Sequence, residues 1–219
     1  MSLRNKNYYE IINIFSGKII YIKLMKNNLK KLLFINKYIS DLNSFNKYII
    51  KNYKNDILKI ADLFIETNKK GRKIIFIGNG GSASICSHVS VDLSKNAKIR
   101  SINFNESDLI TCLSNDYGHE NWMKEAIKLY YDKEDLVVIL SCSGNSPNLC
   151  NAAKYSLNKN LNVITITGNL KSNKLRSINK KGINIWINSK SFNQIEILFN
   201  TILLLIVDLI IGKKIYPPN

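Results

Sequence analysis

The sequence predicts an α/β fold: a three-layer domain in which a five-stranded parallel sheet lies between helices, preceded by an N-terminal helical arm. Two observations carry this. Five short apolar runs alternate with stretches of helical periodicity, the pattern of parallel strands joined by helical crossovers. Three of those runs end in small polar residues, as strands do when they feed ligand loops.

The elements follow in chain order. Residues 1–28 leave two readings open. "IINIFSGKIIYIKL" can form a hairpin turning at Ser16-Gly17, or the native chain starts at Met25, where "MKNNLKKLLFINKYI" begins. From about Asn28 to Asn68, apolar residues recur at helical spacing through Leu32, Leu33, Ile35, Ile39 and Leu42. A second set runs through Ile50, Ile57, Ile60, Leu63 and Phe64, so two amphipathic helices are expected. "KIIFIG" is a buried strand, and a helix runs from Ser82 to about Lys95. "RSINF" is the second strand, and helices hold "SDLITCLS" and "ENWMKEAIKLYY". "DLVVILS" is the third strand, followed by a helix from Pro147 to Asn158. "NVITITG" and "GINIWI" are the last strands, and a helix from about Phe192 to Ile211 closes the chain. The expected organisation is an extension over 1–28 and one domain over 29–219, without repeats or a low-complexity linker.

Composition excludes several classes. The 219 residues carry 32 basic and 16 acidic side chains, a formal charge of +16. Nearly all the basic residues are Lys, and they are spread through an Asn- and Ile-rich chain, the bias of an AT-rich genome. Without a dense basic stripe or interleaved aromatics, no nucleic-acid partner is expected. The charge still favours anionic small molecules such as sugar phosphates. Four cysteines without a CxxC pair and two histidines exclude a Cys/His zinc module and fit reduced thiols in a cytosol. "ILLLIVDLIIG" is too short for a membrane span and carries Asp208. The N-terminus lacks the compact core of a signal peptide. A cytoplasmic location without a membrane partner is the expectation.

Three motifs carry chemistry. "GNGGS" (Gly78 to Ser82) lacks the GK[ST] of a Walker loop, and Ala83 stands where a dinucleotide fingerprint needs its third Gly. Its glycines permit close backbone approach, and Ser82 can cap the next helix or face a ligand. "SCSGNSPN" offers hydroxyls at Ser141, Ser143 and Ser146, with Pro147 opening a helix. Hydroxyls and free amides at the positive end of a helix dipole suit a phosphate dianion. His88 and Asp92, at i and i+4, suit metal ligation, an oriented histidine, or a helix-stabilising pair.

"GNGGSAS…H…D", "NDYG", "LSCSGNSPN" and "ITGN", in this order and spacing, resemble the SIS (sugar isomerase) domain family, most narrowly its phosphoheptose isomerase branch. The resemblance covers roughly residues 30–211. It implies an aldose–ketose isomerase of sugar phosphates, with sedoheptulose 7-phosphate as substrate for surface polysaccharide, and a homotetramer with sites between subunits. It places substrate contacts on Asn79, Gly80, Gly81, Ser82, Asp92, Asn105, Glu106, Ser141, Cys142, Ser143, Ser146 and Gln194. Cys142 stands where the family has Thr. The family's zinc-binding and catalytic His-x-x-x-Glu falls on His88 and Asp92. This makes Asp92 the expected base, with His88 and Glu106 assisting, and zinc would rest on His88, Asp92 and Gln194. The family's late histidine is replaced by an apolar residue, Ile202, or Leu203 in a register through Glu196, so the zinc site is incomplete. A phosphosugar-binding regulator or assembly factor without turnover is the alternative, since some relatives, including a DnaA initiator-associating protein, are of that kind.

Overall fold

In the structure, a computed structural model, residues 6–214 are described, with side chains described from Asn28 onward. The chain forms two compact units, residues 1–44 and 45–219. The described part of the first unit is the beginning of α1 (Lys6–Lys69). Leu29, Leu32, Leu33, Phe34, Ile35 and Ile39 are exposed there. Both helical sets expected between 29 and 68 lie on this one helix, and helix replaces the hairpin at Ser16-Gly17. No Gly or Pro interrupts residues 28–68, so nothing breaks the ladder.

The second unit begins with the last turns of α1. There follow β1 (Ile74–Gly78), α2 (Gly81–Lys95), β2 (Ser101–Asn103), α3 (Ser107–Tyr117), α4 (Trp122–Tyr130), β3 (Leu136–Ser141) and α5 (Pro147–Asn158). It ends with β4 (Asn162–Thr167), α6 (Lys174–Ile178), β5 (Ile183–Trp186) and α7 (Phe192–Ile211). The sheet has five strands in the order β2-β1-β3-β4-β5, all parallel. This is the α/β sandwich expected, with one element added. Helix α6 is a single turn capped by Asn173, whose side chain accepts from the Arg176 amide at 3.1 Å.

Strand alternation sorts the core into two layers. Ile75, Ile77, Val137 and Ile139 pack with Trp122, Met123 and Ile127 of α4 and Leu149, Ala152 and Ala153 of α5. On the opposite side, the Phe76 ring meets Phe64 of α1 edge-on, with centroids 6.0 Å apart. Both rings are fully buried, and each burial contributes about 1.5–3 kcal/mol. Lys73 pins the entries of β1 and β3. Its Nζ lies 2.7 Å from Asp135 and 2.7 Å from Asp132.

Helix α7 packs against α2 and buries Ile195, Leu198, Phe199, Ile202, Leu203, Ile206 and Val207. By length and composition it is apolar enough to cross a membrane, which corrects the reading from the "ILLLIVDLIIG" run alone. Its i, i+3, i+4 stripe is occupied by the core. The parallel topology brings the carboxyl ends of β1 and β3 side by side, with Gly78 beside Leu140. The loops entering α2 and α5 therefore start as neighbours.

Candidate functional site

Those two loops and the first turn of α7 enclose a cavity of about 260 Å³. Its walls include Asn79, Gly80, Gly81 and Ser82 from the first loop and Ser141, Cys142, Ser143 and Ser146 from the second. All eight belong to the set expected from sequence. Phe192 and Glu196 of α7, Leu140 and Leu149 complete the lining.

The serine loop is shaped by its own hydroxyls. Ser141 Oγ accepts from the Gly144 amide at 3.1 Å, and Ser143 Oγ accepts from the Asn145 amide at 3.2 Å. Gly144 sits at φ +65°, and a Cβ there would lie 2.7 Å from the Cβ of Asn173. Only glycine fits that turn without strain. The entry of α6 braces the loop from outside: the Lys174 amide donates to Asn145 Oδ1 at 2.9 Å, and the Leu175 amide to the Gly144 carbonyl at 2.9 Å. Ser146 is the N-cap of α5, yet its side chain makes no capping hydrogen bond. Its hydroxyl is left for the cavity, at the positive end of the helix.

Asn79 and Asn148 clasp the two loops together. Each amide donates to the other's oxygen, at 3.1 and 2.9 Å. Asn79 thus lines the cavity while holding α5 to the glycine loop.

Glu196 is the residue that sequence reasoning left out of the expected site. Its Oε1 accepts from Ser82 Oγ at 3.5 Å and from the Cys142 thiol at 3.7 Å. A Cβ on Gly81 would collide with its carboxylate, so the bare glycine backbone makes room for it. Burial pushes the Cys142 thiol up to about 11, against the Ser82 hydrogen bond and with the help of the Glu196 charge. Cys142 is therefore a neutral donor to Glu196 at ordinary pH. The available signal was the i, i+4 spacing of Phe192 and Glu196, which puts both on one helix face.

The remaining expected residues lie elsewhere. Gln194 is buried, and its Oε1 accepts from Ser189 Oγ at 3.2 Å. It sits about 200° around α7 from Glu196, which turns it away from the cavity. His88 and Asp92 pair with each other at 3.4 Å, with the His88 side chain 54% exposed, and Asp92 also accepts from Asn96 at 3.2 Å. Neither lines the cavity. Asn105 donates to the Ala83 carbonyl at 2.8 Å and to Ser87 Oγ at 2.7 Å, tying α2 to the loop after β2. Glu106 is exposed at the start of α3. The zinc set implied by the resemblance does not fit: Gln194 faces Ser189, and among the described residues no three His, Cys, Asp or Glu side chains gather to hold a metal.

Comparison with known proteins agrees with the fold. Residues 37–168 match the family model of the SIS domain. A phosphoheptose isomerase of Cytophaga hutchinsonii is 34% identical over 120 residues, 52% of this chain and 63% of that protein, so the matched part is less than two thirds of that relative. A phosphoheptose isomerase of Buchnera aphidicola is 32% identical over 151 residues, 64% of this chain and 75% of that protein. The phosphoheptose isomerase GmhA of Neisseria gonorrhoeae superposes with a TM-score of 0.77 at 20% identity, covering 81% of this chain and 97% of that one. A phosphoheptose isomerase of Francisella tularensis gives 0.75 at 22% identity, covering 82% and 97%. At these identities the two solved structures speak for the fold.

Proposed function

The chain belongs to the SIS domain family, and from that premise we propose that it is a sugar-phosphate isomerase converting a ketose to an aldose. The substrate we assign is sedoheptulose 7-phosphate and the product D-glycero-D-manno-heptose 7-phosphate, in keeping with relatives named phosphoheptose isomerase. One observation carries the reading. A single cavity holds the hydroxyl-rich loop at the start of α5 together with a carboxylate.

The roles follow from chemistry. Ser141, Ser143, Ser146 and the Cys142 amide bind the phosphate, with the α5 dipole adding to the attraction. Ser82 and Asn79 face the sugar hydroxyls. Isomerisation needs a base near the carbon beside the carbonyl and a site for the enediol oxygens. Asp92, His88, Glu106, Asn105 and Gln194 stand outside the cavity and carry no step here. The reaction is assigned to the cytoplasm, in lipopolysaccharide precursor supply. Exposed Leu32, Leu33, Phe34 and Ile35 on α1, and Leu205 and Leu209 on α7, support a homotetramer, since apolar patches of this kind cover one another in oligomers.

The second reading is a phosphosugar-binding protein without turnover. It is favoured by α7, where Ile202 and Leu203 are buried and no histidine exists after His119. Incubation with sedoheptulose 7-phosphate in D₂O, followed by NMR, separates the two. An isomerase forms aldose and incorporates deuterium. A binding protein gives heat on titration without either. No heat and no conversion overturns both.

A further inference from the structure

We propose that Glu196 is the proton-transferring base of this site, an assignment that rests on the isomerase reading above. Of the twelve residues lining the cavity, two bear titratable side chains, Cys142 and Glu196. Cys142 is a buried thiol that donates to Glu196, so the carboxylate is the base that this chain brings to the cavity. Its Oε1 is held by Ser82 and Cys142. Among the described residues Oε2 takes no hydrogen bond, which leaves it for a bound molecule. Gly81 clears the space for it. The His88–Asp92 pair lies on α2 outside the cavity wall.

The step balances without an electron acceptor. Oε2 takes a proton from C1 of the bound ketose. The C–H pair becomes the C=C bond of an enediol, and the carbonyl pair moves onto O2, which gains a proton from water. The glutamic acid then returns its proton to C2. That transfer restores the carboxylate, and loss of the O1 proton to water, balancing the one O2 gained, closes the aldose carbonyl at C1.

The test compares wild type, Glu196→Gln and Glu196→Asp in D₂O with sedoheptulose 7-phosphate. NMR reads exchange, calorimetry reads binding, and circular dichroism reads the fold. Wild type should exchange, and Glu196→Gln should fall by about 10²–10⁴-fold, the usual worth of a positioned base, while its affinity changes only a few fold. Glu196→Asp should recover part of the rate, because it restores a carboxylate. Exchange by Glu196→Gln at the wild-type rate overturns the assignment and leaves the isomerase reading standing. So does joint loss of binding and exchange in a folded variant, which makes Glu196 a substrate holder. A wild type that binds but never exchanges overturns the isomerase reading itself, and this assignment with it.

Discussion

The carboxylate of Glu196, from the first turns of α7, lies against the backbone of Gly81 at the start of α2; a Cβ on Gly81 would come within 2.6 Å of its Cδ. Two elements more than a hundred residues apart in sequence thus meet at one missing side chain. Gly81 does not have a positive φ, so an alanine there is conformationally allowed and suits a helix start.

Gly81→Ala should therefore displace the carboxylate rather than break the helix. The expected outcome is a stability within about 1 kcal/mol of wild type and a deuterium-exchange rate into the sugar phosphate lowered by at least about tenfold, because the carboxylate is misplaced. Urea unfolding and NMR exchange measure the two. An unchanged rate would mean that Glu196 has no need of its present position.

The serine loop makes a separate claim. Ser146 caps α5 without spending its hydroxyl on the helix, and Ser143 lines the same cavity. Ser143→Ala combined with Ser146→Ala should weaken binding of the sugar phosphate by about 1–3 kcal/mol, through lost charge-assisted hydrogen bonds. Titration calorimetry with equal affinity for wild type and double variant would remove the phosphate from this loop.

Much of the fold was legible because local signals and tertiary structure agree. β1 and β3 are continuous apolar runs, every residue of both strands is buried, and Pro147 marks the start of α5. Helix α6 was not legible, since five residues give no periodicity to read. Of the candidate site, the two loops that line the cavity were legible because their small residues suit a ligand face. Glu196 was not. Gln194 matched the family's residue type, and choosing between them requires the rotation of α7 about its axis. That rotation is set by packing against α2, and a helix whose buried face and exposed face are both rich in Ile and Leu does not record it in sequence. His88 and Asp92 lie outside this cavity for a related reason: i, i+4 spacing places them on one face without saying what the face meets.

Cys142 gives a prediction that depends on pH. Burial and the nearby Glu196 carboxylate hold its thiol up at about 11, above the ordinary value of 9.0. The unfolded chain therefore ionises first as pH rises. Its contribution to stability is complete below about pH 9 and declines between there and about pH 11. Cys86 and Cys150 are also raised by burial, so the comparison needed is wild type against Cys142→Ser, which cannot ionise in this range. The difference between their urea midpoints should shrink or shift in favour of the serine variant from pH 8 to pH 10.5. In the same range the thiolate is the reactive form. Iodoacetamide at pH 8 should modify exposed Cys112 well before Cys142, as read by peptide mass spectrometry. Equal labelling of the two at pH 8 would show that Cys142 is neither buried nor held protonated beside Glu196, and the geometry of that corner of the cavity would have to be redrawn.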